Sequence, residues 1–339
     1  MSIVFTGRLP ILPYIIFVSM KKTVSRLCLL FFTAVLLHTQ LQAQPATPDT
    51  VKVGIYITSI HDIDFKQKEF TATFWLWLKY KNKKFDFVKN LEVPQAKSVE
   101  KSFFTVDSSG DMIFMQMKLQ CVMKDSWRIE NFPFDRQSLR VSIENSQFDS
   151  RSLVFIADTL GEHFDKRFTL RGWNIDSCEL STNTRIYETG FGDESLSLPR
   201  TEYGVFRVKL VITRNSGGLF WKMFLGMYIA FFIAFICFFI HADGMDSRFS
   251  LSVGSLFAVI GNKYIIDSSL PESSTFTLVD TLHGVTLFFI FCIIAATAYS
   301  LMMVKKDQAA RAKRFDRRTA LVLFIAYAVL NAWFIYKAI

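Results

Sequence analysis

The chain has 339 residues, 51% of them hydrophobic and 36 of them Phe, and carries a formal net charge of +9. That length admits two domains, and the placement of the charge excludes a nucleic-acid binder. Residues 1–43 hold Arg8, Lys21, Lys22 and Arg26 with no acid, while Lys305 to Arg318 holds seven bases against Asp307 and Asp316, which together make up the whole surplus. A basic segment beside an apolar run is the cytoplasmic mark of a membrane protein, since Lys and Arg resist translocation.

From the N-terminus, Lys21 and Lys22 precede an apolar stretch from Leu27 to Leu37 and the exit Leu41-Gln42-Ala43. This is the build of a signal peptide with its start at Met20, the alternative being an N-terminal anchor. Residues 1–43 are therefore set apart as extension and leader. Cys28 leaves with them, and Cys237 and Cys292 lie in apolar runs. Cys121 and Cys178 remain for the exported domain, either paired or buried as small hydrophobes.

Residues 44–216 read as a chain of short strands. Val51, Val53, Ile55 and Ile57 share one face, and Phe70, Ala72, Phe74, Leu76 and Leu78 repeat the pattern. Ile113, Met115, Met117, Leu119 and Cys121, then Leu139, Val141 and Ile143, and finally Phe206, Val208, Leu210 and Ile212 follow it. Period-two alternation gives each strand one buried and one wet face, so this half is expected to be a β-sandwich or barrel, with no helix signal before Gly217 that matches the strand signals.

Residues 217–339 are expected to be all-α and membrane-embedded. Spans are expected over 220–241, 282–304 and 319–339, each long enough for a hydrocarbon core of ~30 Å. The stretch 249–266 holds Ser250, Ser252, Gly254, Ser255, Gly261, Asn262 and Lys263. As a span it must turn those groups towards water or other helices; the alternative is a loop helix outside the membrane. Four crossings place 305–318 inside when the N-terminal domain is outside.

Within this frame Phe132-Pro133-Phe134-Asp135-Arg136-Gln137 resembles the Phe-Pro-Phe-Asp-x-Gln loop of the pentameric ligand-gated ion channels, the superfamily of the Cys-loop receptors. The resemblance covers roughly residues 50–339. Asp62 and Asp64 in the turn after the first strand, Arg214 at the end of the last strand, and Pro271 between the second and third spans come in the family's order. It implies an extracellular immunoglobulin-like sandwich of about ten strands followed by a four-helix transmembrane domain. It further implies that Asp62, Asp64, Phe132, Pro133, Phe134, Asp135, Arg214 and Pro271 couple sensor to pore, with Arg214 pairing bidentately to Asp135 or to an acid of the early turn. By alignment the family's two loop cysteines fall at Asp125 and Leu139, so its disulfide is absent, as is common in the prokaryotic branch. The first span lacks the usual proline, and the segment 83–103 is shorter than the family's, which bears on its agonist pocket.

With Pro271 at the family's proline, Ser250, Gly254, Phe257, Gly261 and Tyr264 form one stripe, expected to line the pore with Phe257 as its constriction. The other register packs Phe257 against a neighbouring helix. Asp243 and Asp246 at the inner mouth favour cations, and Arg248 opposes them. Ligand candidates are Trp75 and Trp77 on one strand's outward face, Phe148, and Tyr187 and Phe191 in the last hairpin; they form an aromatic cage or subunit-interface packing.

The expected assembly is a homopentamer in the inner membrane, its sandwich in the periplasm and 305–318 in the cytoplasm. Its partners are the lipid bilayer, permeating monovalent ions and a small-molecule ligand or proton, with no nucleic acid, cofactor, metal or catalytic residue. The chain has no G-x-S-x-G, H-E-x-x-H, P-loop or dinucleotide fingerprint, which argues against an enzyme. The competing reading is a non-conducting periplasmic sensor on a four-helix anchor, which would not need a polar second span.

Overall fold

The computed structural model describes residue 2 and residues 47–194, 196, 198–241 and 244–339. The expected leader, Cys28 and Asp243 lie outside the described residues. The alternating runs become two facing sheets. In the first, β1 (Asp49–Asp64) pairs antiparallel with β2 (Glu69–Tyr80), β2 with β5 (Met112–Lys124) and β5 with β4 (Ala96–Ser109), and β7 (Leu153–Ala157) lies parallel to β1. The second runs in the order β3 (Leu91–Glu92), β6 (Arg136–Asn145), β9 (Thr201–Arg214) and β8 (Trp173–Tyr187).

The inward positions named by alternation meet in one core: Val53, Ile55, Phe74, Leu76, Met117, Leu119, Ile143, Phe206 and Ile212 are all buried there. Burial of each such side chain contributes ~1.5–3 kcal/mol, which is why the alternation selects the register. Gly54 shows the same fit in reverse. A Cβ there would come within 2.3 Å of the Trp77 indole, so the missing side chain lets Trp77 lie across β1.

Behind the sandwich stand four long helices: Gly217–Phe235, prolonged by a 3₁₀ turn Ile236–Phe239, then Met245–Asp267, Leu278–Val304 and Ala309–Ala338. Each is long and apolar enough to cross a membrane, so the chain is a multi-pass membrane protein.

The nine strands among the described residues agree with the expected sandwich of about ten, and a one-turn helix, Phe87–Asn90, precedes Gly217. Asp86 caps that helix by accepting from the Lys89 amide at 3.2 Å, a signal too short for periodicity to register. Several expectations are corrected. Asp62 and Asp64 belong to the end of β1, and the turn is Phe65–Lys68. The third long helix begins four residues before the expected 282, because Thr277 and Asp280 form a capping box, their side chains taking each other's amide protons at 3.2 and 2.9 Å. The fourth begins at Ala309, so most of the expected 305–318 loop is helix. Ala, Lys and Arg are strong helix formers, and the end of an apolar run is not the end of a helix.

Cys121 and Cys178 are free thiols. Burial pushes the Cys121 thiol up to about 12, as befits a small hydrophobe of the core. Asp125, which stands where the family's first loop cysteine falls, is buried and bound by the Arg140 guanidinium through both nitrogens it offers. An ion pair thus closes the loop between β5 and β6.

Candidate functional site

The loop between β5 and β6 is organised by its own motif. Gln137 reaches back across it, accepting from the Arg128 amide at 3.1 Å and donating to the Arg128 carbonyl at 2.7 Å. The same amide nitrogen donates to Asp135 at 2.7 Å. Asp135 is thereby fixed, nearly excluded from water, and faces Arg214 at the end of β9. Arg214 donates through Nε to Oδ1 at 2.6 Å and through Nη2 to Oδ2 at 3.1 Å.

Of the two partners that the sequence allows Arg214, the structure selects Asp135. Three rings enclose the guanidinium, at 4.0 Å from Trp173, 4.6 Å from Phe65 and 4.8 Å from Phe132. A desolvated cation over one such ring gains about 2 kcal/mol. Trp173 and Phe65 were not singled out from the sequence. The signal for Trp173 is its cross-strand pairing with Arg214, which exists only once β8 and β9 are in register.

This cluster is the junction between sandwich and helices. Ile129 and Phe132 are buried in the helical core rather than the sandwich core. Phe134 meets Phe220 of the first long helix at 5.5 Å between ring centres, and the Glu130 carbonyl accepts from the Leu278 amide of the third at 2.8 Å. A cleft of 540 Å³ gathers Asp62, Asp64, Phe132 and Arg214 together with Leu219, Ser269 and Leu270, next to the buried Pro271. The expected coupling residues therefore converge, although Asp62 bonds to His61 at 2.7 Å and Asp64 caps its turn through the Gln67 amide at 2.8 Å.

The expected ligand residues do not come together within one chain. Trp75 and Trp77 lie on the outward face of the first sheet, Trp77 donating to Asp158 at 3.1 Å. Phe148 packs into the sandwich core against Phe85 at 4.9 Å. Tyr187, at the end of β8, meets Phe191 in the turn that follows, and both take Tyr203 of β9 as a third ring, at separations of 5.4, 5.8 and 6.1 Å.

Below that aromatic trio sits a group the sequence reading missed. Glu144 is buried, accepts from the Tyr187 hydroxyl at 2.8 Å and lies 2.5 Å from Arg185 Nη1. Burial raises its carboxyl above the ordinary value, as does the nearby charge of Glu92, while Tyr187, Arg185 and Arg207 pull it down. Alternation alone assigns Glu144 to the outward face with Arg140, hence to water. Arg185 and Tyr187, reaching over β9 from β8, are what bury it.

The polar residues of the second long helix divide by face. Ser250, Gly254, Phe257, Gly261 and Tyr264 are exposed on one stripe, Phe257 at 66% and Tyr264 at 75%. Asp246 is exposed in the first turn. Ser252, Ser255 and Asn262 turn to the bundle, Asn262 bonding to the Met223 carbonyl of the first helix at 3.2 Å and to His283 of the third at 3.0 Å. Lys263 binds Asp267 of its own helix and Asp280 of the third, at 2.8 Å to the latter. Arg248, expected at the inner mouth, is instead buried in the bundle and bound to Asp316 of the fourth helix at 2.8 Å.

No family model matches the chain. Among curated proteins, it is 22% identical over 307 residues to a proton-gated ion channel of Gloeobacter violaceus, a match that covers 84% of this chain and 82% of that one. The match takes in both halves, and its counterpart is an ion channel, not an enzyme. A two-sheet domain followed by four membrane-length helices, with no disulfide among the described residues, accompanies that match, and the chain is a distant homologue of the proton-gated channel.

Proposed function

We propose that the chain is one subunit of a homopentamer in the inner membrane, with its sandwich in the periplasm and the basic segment 305–318 in the cytoplasm. A proton or a small ligand sensed by the sandwich opens a central pore lined by the second long helix, and monovalent cations pass. The observation that carries this reading is the caged Asp135–Arg214 pair, which ties the last strand of the sandwich to a loop buried in the helical core. A shift of β9 relative to that loop is transmitted to the first and third helices through Phe134 and Glu130.

Proton sensing is favoured over a bulky ligand by two observations. The curated relative is proton-gated, and Glu144 already has Arg185 and Tyr187 where a ligand would compete. The exposed apolar residues of the edge strand β4, Phe103, Phe104 and Val106, together with Phe257 and Val253, support an assembly that covers them.

The test is potassium flux through the purified full-length protein in liposomes as the outer solution is taken from about pH 8 to about pH 4, the range of ordinary and raised carboxyl titration. A panel of amines and amino acids is applied in parallel. The expected result is flux that turns on with acid; a folded oligomer silent under every condition overturns the reading.

A further inference from the structure

An arginine inside a membrane bundle is costly to hold, and its partner names its role. Arg248 is in the first turn of the second long helix, with its side chain 3% exposed. It binds the Ile240 carbonyl at the end of the first helix through Nε at 3.2 Å and Nη2 at 2.5 Å, and the same Nη2 meets Asp316 Oδ2 at 2.8 Å. Asp316 is likewise buried. Arg248 Nη1 and Asp316 Oδ1 have no hydrogen-bond partner, so the pair is not saturated. Replacing a buried pair of that kind by apolar residues is often neutral or stabilising, which makes stability a poor reason for its presence.

Asp246 lies two residues earlier, roughly 200° around the helix by the α-helical repeat, and is exposed. The two charges of the first turn therefore point to opposite sides. One is open to the solvent, and the other is held on the back of the helix by a carboxylate from the fourth.

Resting on the channel reading above, we propose that Asp316 is a specificity-determining residue of the inner mouth. It acts as a positioning residue: by pinning Arg248 to the back of the second helix and cancelling its charge, it leaves the exposed carboxylate of Asp246 to set the sign of the permeant ion. The fourth helix, remote from the pore stripe, thus decides the selectivity of the second. Without Asp316 the arginine is an uncompensated cation beside the mouth, free to swing towards water on its flexible stem.

The test compares the parent, Asp316→Asn, Arg248→Gln, the double variant Asp316→Asn/Arg248→Gln, and the conservative Asp316→Glu. Reversal potentials are measured for the full-length protein in bilayers under a potassium chloride gradient. Asp316→Asn is expected to shift the reversal potential towards the chloride equilibrium value. The double variant and Asp316→Glu return it to the parental value, and Arg248→Gln does not move it towards chloride.

A structural role alone changes stability but not this potential. A conducting Asp316→Asn protein with the parental potential overturns the inference and leaves the channel reading intact. A parent without current overturns both. Thermal unfolding of the four proteins in the cycle gives a second readout, and additive effects of the two substitutions overturn the inference whatever the currents do.

Discussion

The Asp135–Arg214 pair is strong because each partner is held before the other arrives. Gln137 fixes the carboxylate, and Trp173, Phe65 and Phe132 fix the guanidinium. Removing one member leaves a buried charge without its partner, so Asp135→Ala or Arg214→Ala is expected to destabilise the fold by ~3–5 kcal/mol. Channel opening is expected to be impaired along with it. Exchange of the two charges restores part of both losses, and unchanged denaturation and currents in the single variants would remove the coupling role.

Glu144 gives a pH prediction whose sign follows from burial. Its carboxyl is raised in the folded chain, so the folded state takes the proton more readily than the unfolded one. The stabilisation is fully present below the ordinary carboxyl value and is lost as pH rises through the raised one. The melting temperature of the parent relative to Glu144→Gln is therefore expected to rise as pH falls, levelling off below the ordinary value. A difference independent of pH would show that Glu144 does not titrate there. If the group also senses the gating proton, Glu144→Gln flattens the acid response of the flux.

Among the elements, the second long helix is the most sharply divided, because its two faces obey different rules. The buried face satisfies its polar groups within the bundle, as Asn262 does with Met223 and His283. The exposed stripe leaves Ser250, Gly254 and Gly261 to the solvent side with Phe257 between them. In the proposed pentamer this stripe lines the pore, and a ring of five phenylalanines would close it by dewetting. Phe257→Ala is expected to raise the resting conductance severalfold, measured as acid-independent flux, with assembly unchanged. A variant that assembles and stays as silent as the parent would place Phe257 against a neighbouring helix instead.

The single chain is incomplete as a membrane-embedded object. Phe103, Phe104 and Val106 lie bare on an edge strand of the sandwich. An exposed strand of that kind is an aggregation hazard unless a partner covers it. Native mass spectrometry of the detergent-solubilised protein is expected to give five copies. A monodisperse monomer would remove the pore, since one chain has no central axis for its second helix to line.

What the sequence determined by itself follows from short-range physics. The period of two in Val51 to Ile57 and Phe70 to Leu78 specifies which side chains are buried, and the charge-free runs specify the crossings, because each pattern is complete within one element. The Phe132 to Gln137 motif marks the junction for the same reason: Gln137 and Arg128 close the loop locally. Tertiary structure alone decided between residues far apart in the chain. It chose Asp135 over the early acids as the partner of Arg214, and enclosed that pair with Trp173. It buried Glu144 beneath Arg185 and Tyr187, and it turned Arg248 from the inner mouth to Asp316, 68 positions away. A charge on an amphipathic element can face water or a partner, and only the neighbour that arrives, with the dielectric it brings, settles which.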